Sequence, residues 1–368
     1  MSADKTYMSV PPTHSADECG EFNISEIQFN GTPFPVREQV VLKGAFCTLV
    51  GFSLQVSQDL PKVLIVAPLS GHHACLLREM ITGLLPYHEV YITNWTNAQN
   101  VPADRGKFGF DDNIGYLLEM LRALGTGINV IALCQSVVPS LAAVSILEKR
   151  NDGHTVRSLV LIGGPIDPLA NPTRVVNLLR MHSLEWFENH VVQPVPAWFS
   201  GHGRPVYPAH MQRMALMTYL NRHMWQHGEL YQKVTHDDGA DPRRFPFLSM
   251  FTTLMDLPAE FFLENIRVVF HQRDICRGTL SWCGQTVNPF CISATSLMTI
   301  EGELDDIAAP GQTSAAFELC PGLPKIQKVR MVVADCGHFS LFYGEKWRDK
   351  VLPAVLEFFG SETTLPAA

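Results

Sequence analysis

Apolar residues between Lys62 and Gly164 fall into two rhythms that take turns. Four segments, KVLIVAP, HEVYITNW, INVIAL and SLVLIGG, are short, nearly continuous apolar runs rich in β-branched residues. Such runs are expected of strands buried on both faces. Between them lie stretches with helical spacing: CLLREMITGLL, DDNIGYLLEMLRALG and CQSVVPSLAAVSILEK. In the second of these, Ile114, Leu117, Leu118, Leu121 and Leu124 share one face, Asp111 or Asp112 can cap the start, and Gly125 can end the helix. In the third, Pro139 falls in the first turn, where its missing N–H costs little. Strand and helix alternate, so the fold class is α/β, with a mostly parallel central sheet and helices on both faces.

Upstream, VREQVVLKG and AFCTLVGFSLQV alternate only in part, as edge strands of a mixed sheet do. Residues 1–25 are polar, with Pro and Ser, and read as a loose segment. At Gly164-Pro165 the rhythm stops. Residues 167–292 show no further strand–helix units, only broken helical patterns rich in Met, Phe, Trp and His, and read as a large, mainly helical cap insertion. The core pattern resumes with SLMTIEGELDD, TSAAFEL and KVRMVVADCGHF, then a last helix with Trp347, Val351, Val355 and Phe358 or Phe359 on one face. The expected division is a core of 26–166 plus 293–362, the cap 167–292 between its halves, and a tail of 363–368.

Composition narrows the function. The 368 residues carry a formal net charge of -8, and no long basic run appears, which speaks against a nucleic-acid partner. Nine cysteines scattered from Cys19 to Cys336 form no disulfide framework. The start shows no apolar stretch behind a basic end, and no apolar run is long enough to cross a bilayer, so a cytoplasmic location is expected.

Three residues stand at ends of expected strands in the order nucleophile, acid, histidine: Cys134, Asp305 and His338. This is the chain order of α/β-hydrolases. Cys134 lies where INVIAL meets its helix, at the positive end of the helix dipole, which favours a thiolate. The usual G-x-S-x-G is here A-L-C-Q-S, without its glycines. A buried structural thiol is the plainer reading of Cys134, and Ser136 is a competing nucleophile two places on, expected to face into the helix or sheet. Asp305, in G-E-L-D-D, would orient the histidine. Asp306 is its neighbour and alternative, and Asp167 and Asp335 are weaker candidates. His338 follows the last strand in C-G-H-F. The oxyanion hole is expected from the backbone N–H of Gln135 and of Ser70 or Leu69, with Gly71 allowing the bend. The run His72, His73, Cys75 matches no metal site of set geometry. No metal or cofactor is implied, and no P-loop or dinucleotide fingerprint is present.

From about Phe29 to Phe359 the chain resembles the intracellular polyhydroxybutyrate (polyhydroxyalkanoate) depolymerases of the α/β-hydrolase superfamily. The resemblance is carried by VAPLSGHHACLLREMITGLLPYHEVYITNW, GKFGFDDNIGYLLEMLRALG, LCQSVVPSLAAV, GGPIDPLANPTRV, MDLPAEFFLENIRVVF, TIEGELDDIAAPGQT and CGHFSLFYGEKW. It implies a Cys-Asp-His esterase acting on a storage polyester through a thioester acyl-enzyme, associated with granules, with the matching positions Cys134, Asp305 and His338. One departure is Ser136, where the family usually has Pro after Cys-Gln. An apolar polymer also implies apolar side chains at the cleft, and Trp186, Trp198 and Trp225 are the candidates in the cap, with Phe187, Phe199, Phe261 and Phe262 beside them. An acyltransferase or thioesterase acting on hydroxyacyl-CoA and a non-catalytic granule protein are the rival readings.

Overall fold

Continuous apolar runs become the middle of a sheet because both of their faces can be covered. The computed structural model describes residues 8–9, 22–55, 60–151, 153–225 and 254–360. Strands β1 (Met8–Ser9), β2 (Glu26–Phe29), β3 (Thr32–Gly44), β4 (Cys47–Leu54), β5 (Lys62–Val66), β6 (Glu89–Trp95), β7 (Ile128–Leu133) and β8 (Val156–Ile162) come first. Five short strands follow: β9 (Gln193–Pro194), β10 (Pro205–Tyr207), β11 (Leu257–Pro258), β12 (Ser281–Trp282) and β13 (Gln285–Thr286). Then β14 (Ser296–Gly302) and β15 (Lys328–Val333) complete the set. The main sheet has ten strands in the order β1-β3-β4-β6-β5-β7-β8-β14-β15, with β2 paired to β3.

Strands β3, β4 and β6 pair antiparallel. From β6 through β5, β7, β8 and β14 to β15 every pairing is parallel. Every residue of β7 is buried, whereas β3 alternates exposed and half-covered positions for most of its length. The helices α1 (Arg78–Leu84), α2 (Phe110–Leu124) and α3 (Val137–Arg150) connect the parallel strands. The expected stripe of α2 from Ile114 to Leu124 is buried throughout. Its start differs in detail. Gly109 occupies the cap position, and Asp112 reaches back to accept the Gly109 N–H at 2.9 Å. Asp111 instead accepts the N–H of Cys283 at 3.0 Å. In the last helical stretch Trp347, Val351, Val355 and Phe359 are buried, which decides for Phe359 over its neighbour.

The segment between β8 and β14 carries α4 (Arg174–Met181), α5 (Leu184–His190) and α6 (Ala209–Trp225). Thr173 and Ser183 cap the first two through their side chains. It also holds a small three-stranded sheet, β11-β10-β9, and the hairpin β12-β13. Strands of two or three residues are too short to leave an alternating pattern, which is why the sequence reads as helices and turns alone there. Among the described residues, no helix is long and apolar enough to cross a membrane.

Candidate active site

A strand that ends and turns at once into a helix must place one residue in an awkward backbone conformation. That residue is Cys134, with φ +50°, a region that costs a non-glycine residue about 1–2 kcal/mol. It follows β7 directly, and a single 3₁₀ turn, Cys134–Ser136, leads into α3. Ser136 staples this corner. Its Oγ accepts the Leu133 N–H at 2.8 Å and lies within donating distance of the carbonyls of Val66 (2.8 Å) and Leu133 (2.9 Å). The side chain faces back into the sheet, as its position two residues on implies.

The glycine that the elbow lacks in its own sequence sits on the neighbouring strand end. A Cβ on Gly164 would lie 2.2 Å from the Cys134 carbonyl oxygen and 2.5 Å from the Val137 side chain. Thr313 holds Gly164 in place, its Oγ1 accepting the Gly164 N–H at 2.9 Å and donating to the Gly164 carbonyl at 2.8 Å.

Asp305 and His338 leave the ends of β14 and β15. Both are buried, and His338 Nδ1 lies 2.7 Å from Asp305 Oδ2. The other carboxylate oxygen accepts the N–H groups of Ile307 (2.9 Å) and Ala308 (2.8 Å), which fixes its orientation. The Cys134 side chain lies close enough to the His338 ring to act on its charge. Burial works against a charged imidazole here, but the Asp305 carboxylate, the Cys134 sulfur and the hydrogen bond to Asp305 outweigh it. They hold His338 well above the ordinary histidine range. The structure thus brings together Cys134, Asp305 and His338.

The other acids point elsewhere. Asp306 bonds to three residues of α6: the Tyr219 hydroxyl at 2.6 Å, His223 Nε2 at 3.1 Å, and the Arg222 guanidinium. Burial, then the charge of Asp306, pushes the Tyr219 phenol far above its usual range. Asp167 is held by Arg273 through two bonds of 2.9 and 2.5 Å. Asp335 is exposed, and its N–H donates to Glu303 at 2.9 Å.

After β5, Leu69 is buried, Ser70 is half-buried and Gly71 has φ +94°. The Gly71 carbonyl accepts the Met255 N–H at 2.6 Å, and His72 bridges to Leu254. Among the described residues, the backbone bonds made outside helices and strands include none donated by the N–H of Leu69, Ser70 or Gln135. Apolar side chains around the histidine loop come from Leu76, Leu216, Tyr219, Leu220, Ile307 and Phe339. Trp186, on α5, stacks its ring on His182 and His190, with centroids 3.9 and 4.9 Å away. Trp198 and Trp225 are 80% and 85% exposed. Phe187 and Phe261 are core residues, while Phe199 and Phe262 are half-buried. A cleft of about 1000 Å³ opens between His73, Trp95, Asn97 and Tyr116, and none of Cys134, Asp305 and His338 lines it.

Sequence reasoning missed the roles of Gly164, Thr313 and Asp306. Only the Gly163-Gly164 pair after β8 left a signal, read there as the end of a strand.

A family model described as PHB de-polymerase C-terminus matches residues 163–363, more than half of the chain. The matched stretch takes in Asp305 and His338 and begins after Cys134. A search of curated proteins finds no match. Among solved structures, the 2-hydroxy-6-oxo-6-phenylhexa-2,4-dienoate hydrolase from a Rhodococcus species is similar at 13% identity, with 89% of this chain and 99% of that one covered and a TM-score of 0.51. An enol-lactonase from Burkholderia xenovorans is similar at 12% identity, with 91% and 99% covered and a TM-score of 0.48. At 13% identity the likeness to the Rhodococcus hydrolase speaks for the fold alone, and the fold is that of the α/β-hydrolases.

Proposed function

The chain belongs to the PHB depolymerase family that this C-terminal region defines, and from that premise we propose that it hydrolyses ester bonds of poly(3-hydroxybutyrate) with Cys134 as nucleophile. The observation that carries the reading is one imidazole held between a buried carboxylate and a thiol placed on a left-handed corner. Ester hydrolysis by an α/β-hydrolase fits the family and the fold. The polymer and the roles of the three side chains are the proposal.

In this mechanism His338 takes the proton of Cys134, or holds the sulfur as the thiolate of an ion pair. The sulfur attacks the ester carbonyl, and the N–H groups of Gln135 and of Ser70 or Leu69 receive the oxyanion. When the C–O bond breaks, His338 gives its proton to the departing hydroxyl end. The acyl group remains as a thioester on Cys134. The neutral imidazole then takes a proton from water, the hydroxide adds to the thioester, and collapse expels the thiolate and releases a hydroxy acid or oligomer. Asp305 keeps the ring oriented and stabilises its charged form. The chain acts at the surface of storage granules in the cytoplasm.

The test is incubation with amorphous polymer granules, with identification of soluble products, beside Cys134→Ala. Release of 3-hydroxybutyrate or its oligomers that vanishes in the variant supports the reading. Release that persists in the variant, or no release from the wild type, sinks it.

A further inference from the structure

Gln212 lies near the start of α6, 7% exposed. Its Nε2 donates to two carbonyls, Tyr207 at 3.0 Å and Met255 at 2.8 Å. Two acceptors on one amide group fix which end is nitrogen. Oε1 therefore faces the other way, where it is buried and has no hydrogen-bond partner. A buried oxygen left without a donor is destabilising. What it meets is Gly71: a Cβ on that residue would lie 1.7 Å from Oε1. The same glycine has φ +94°, and its carbonyl is taken by the Met255 N–H at 2.6 Å. Gln212 thus packs against the glycine from one side and ties down, through Met255, the segment that holds its carbonyl. The residue before that glycine is Ser70, whose N–H is one of the two loop donors, with that of Leu69, proposed above for the oxyanion.

We propose that Gln212 is a positioning residue for the oxyanion loop: its amide fixes the Gly71 backbone and with it the direction of the Ser70 N–H. This rests on the reading of Cys134 as nucleophile. It also makes α6 a shared support, because the same helix grips the acid-bearing loop through Asp306.

The experiment uses the full chain and a soluble p-nitrophenyl ester of 3-hydroxybutyrate, comparing Gln212→Met and Gln212→Ala with wild type. Methionine keeps the length and removes the amide, so it carries the measurement if the shorter variant does not fold. Alkylation of Cys134 by iodoacetamide across pH is followed in parallel, because that reaction needs the sulfur and His338 but builds no oxyanion. The expected result is a fall in kcat of roughly 10- to 100-fold with little change in KM, while the alkylation rate and its pH profile stay at wild-type values. Unchanged kcat in a variant with wild-type Tm overturns the proposal. Alkylation falling in step with kcat also overturns it, since that marks general loosening of the site. Wild-type hydrolysis that survives Cys134→Ala overturns the nucleophile reading and this proposal with it, a result distinct from either of the others.

Discussion

Among the described residues two histidines are almost wholly enclosed, and their surroundings drive them in opposite directions. His88, 0% exposed, sits after α1 with its ring edge-on to Phe359 at 5.5 Å. Burial, the largest influence, brings it down to about 4, and the charge of Arg157 adds to the fall. His338, 4% exposed, experiences the same desolvation, yet Asp305 and Cys134 carry it well above the usual range. Enclosure alone discharges an imidazole, so a charged one in the interior is a product of its partners.

The comparison can be broken in three steps. The largest effect is expected from Cys134→Ala, which removes one of the two groups that raise His338. Ester hydrolysis should fall on the order of 10⁵-fold in kcat/KM, as loss of a nucleophile does elsewhere. Steady-state assays that find residual turnover within a hundredfold of wild type would refute the assigned role. Next comes Asp305→Asn, with an expected loss of about 10⁴-fold in kcat. The strongest raising influence on His338 is then gone, and burial should pull the ring down. A raised histidine contributes stability that is present below its unfolded pKa and is lost as pH rises through its folded value. The alkaline limb of both activity and Tm should therefore move to lower pH in this variant. A limb that stays put would mean that the carboxylate does not set the imidazole's charge.

The third step concerns His88, whose sign is reversed. Its folded value of about 4 lies below the ordinary 6.5, so the unfolded chain binds the proton first. Stability should decline as pH falls from 6.5 toward 4, by up to about 3 kcal/mol. His88→Phe should flatten that decline in urea titrations run at several pH values, and leave the alkaline limb untouched. An equal acid slope in the variant would sever His88 from the effect.

Much of this arrangement is legible in the sequence, for a physical reason. Strands such as INVIAL announce themselves because burial on both faces favours a nearly continuous apolar run, and the chain order Cys134, Asp305, His338 follows from which strand ends meet at one edge of a parallel sheet. What the sequence hides are contacts with no period. Gly164 stands beside the elbow from another strand, where no local motif would place it. Asp305 and Asp306 are adjacent and chemically identical, and only the direction each side chain takes sends one to His338 and the other to α6. Trp186 reads as a residue for an apolar ligand; in the fold its ring stacks with His190, one turn on along α5, and with His182, which lies before that helix begins, a contact no helical period announces. Gln212 is one amide among many until Gly71 is folded against it.

The left-handed backbone at Cys134 sets two demands on a single residue that no amino acid meets together. Glycine would relax the corner by about 1 kcal/mol but brings no sulfur. Selection of variants for heat resistance alone should therefore enrich Cys134→Gly, a chain that melts later and cleaves nothing. Ranking such a library by Tm and by turnover should give opposite orders at this one position.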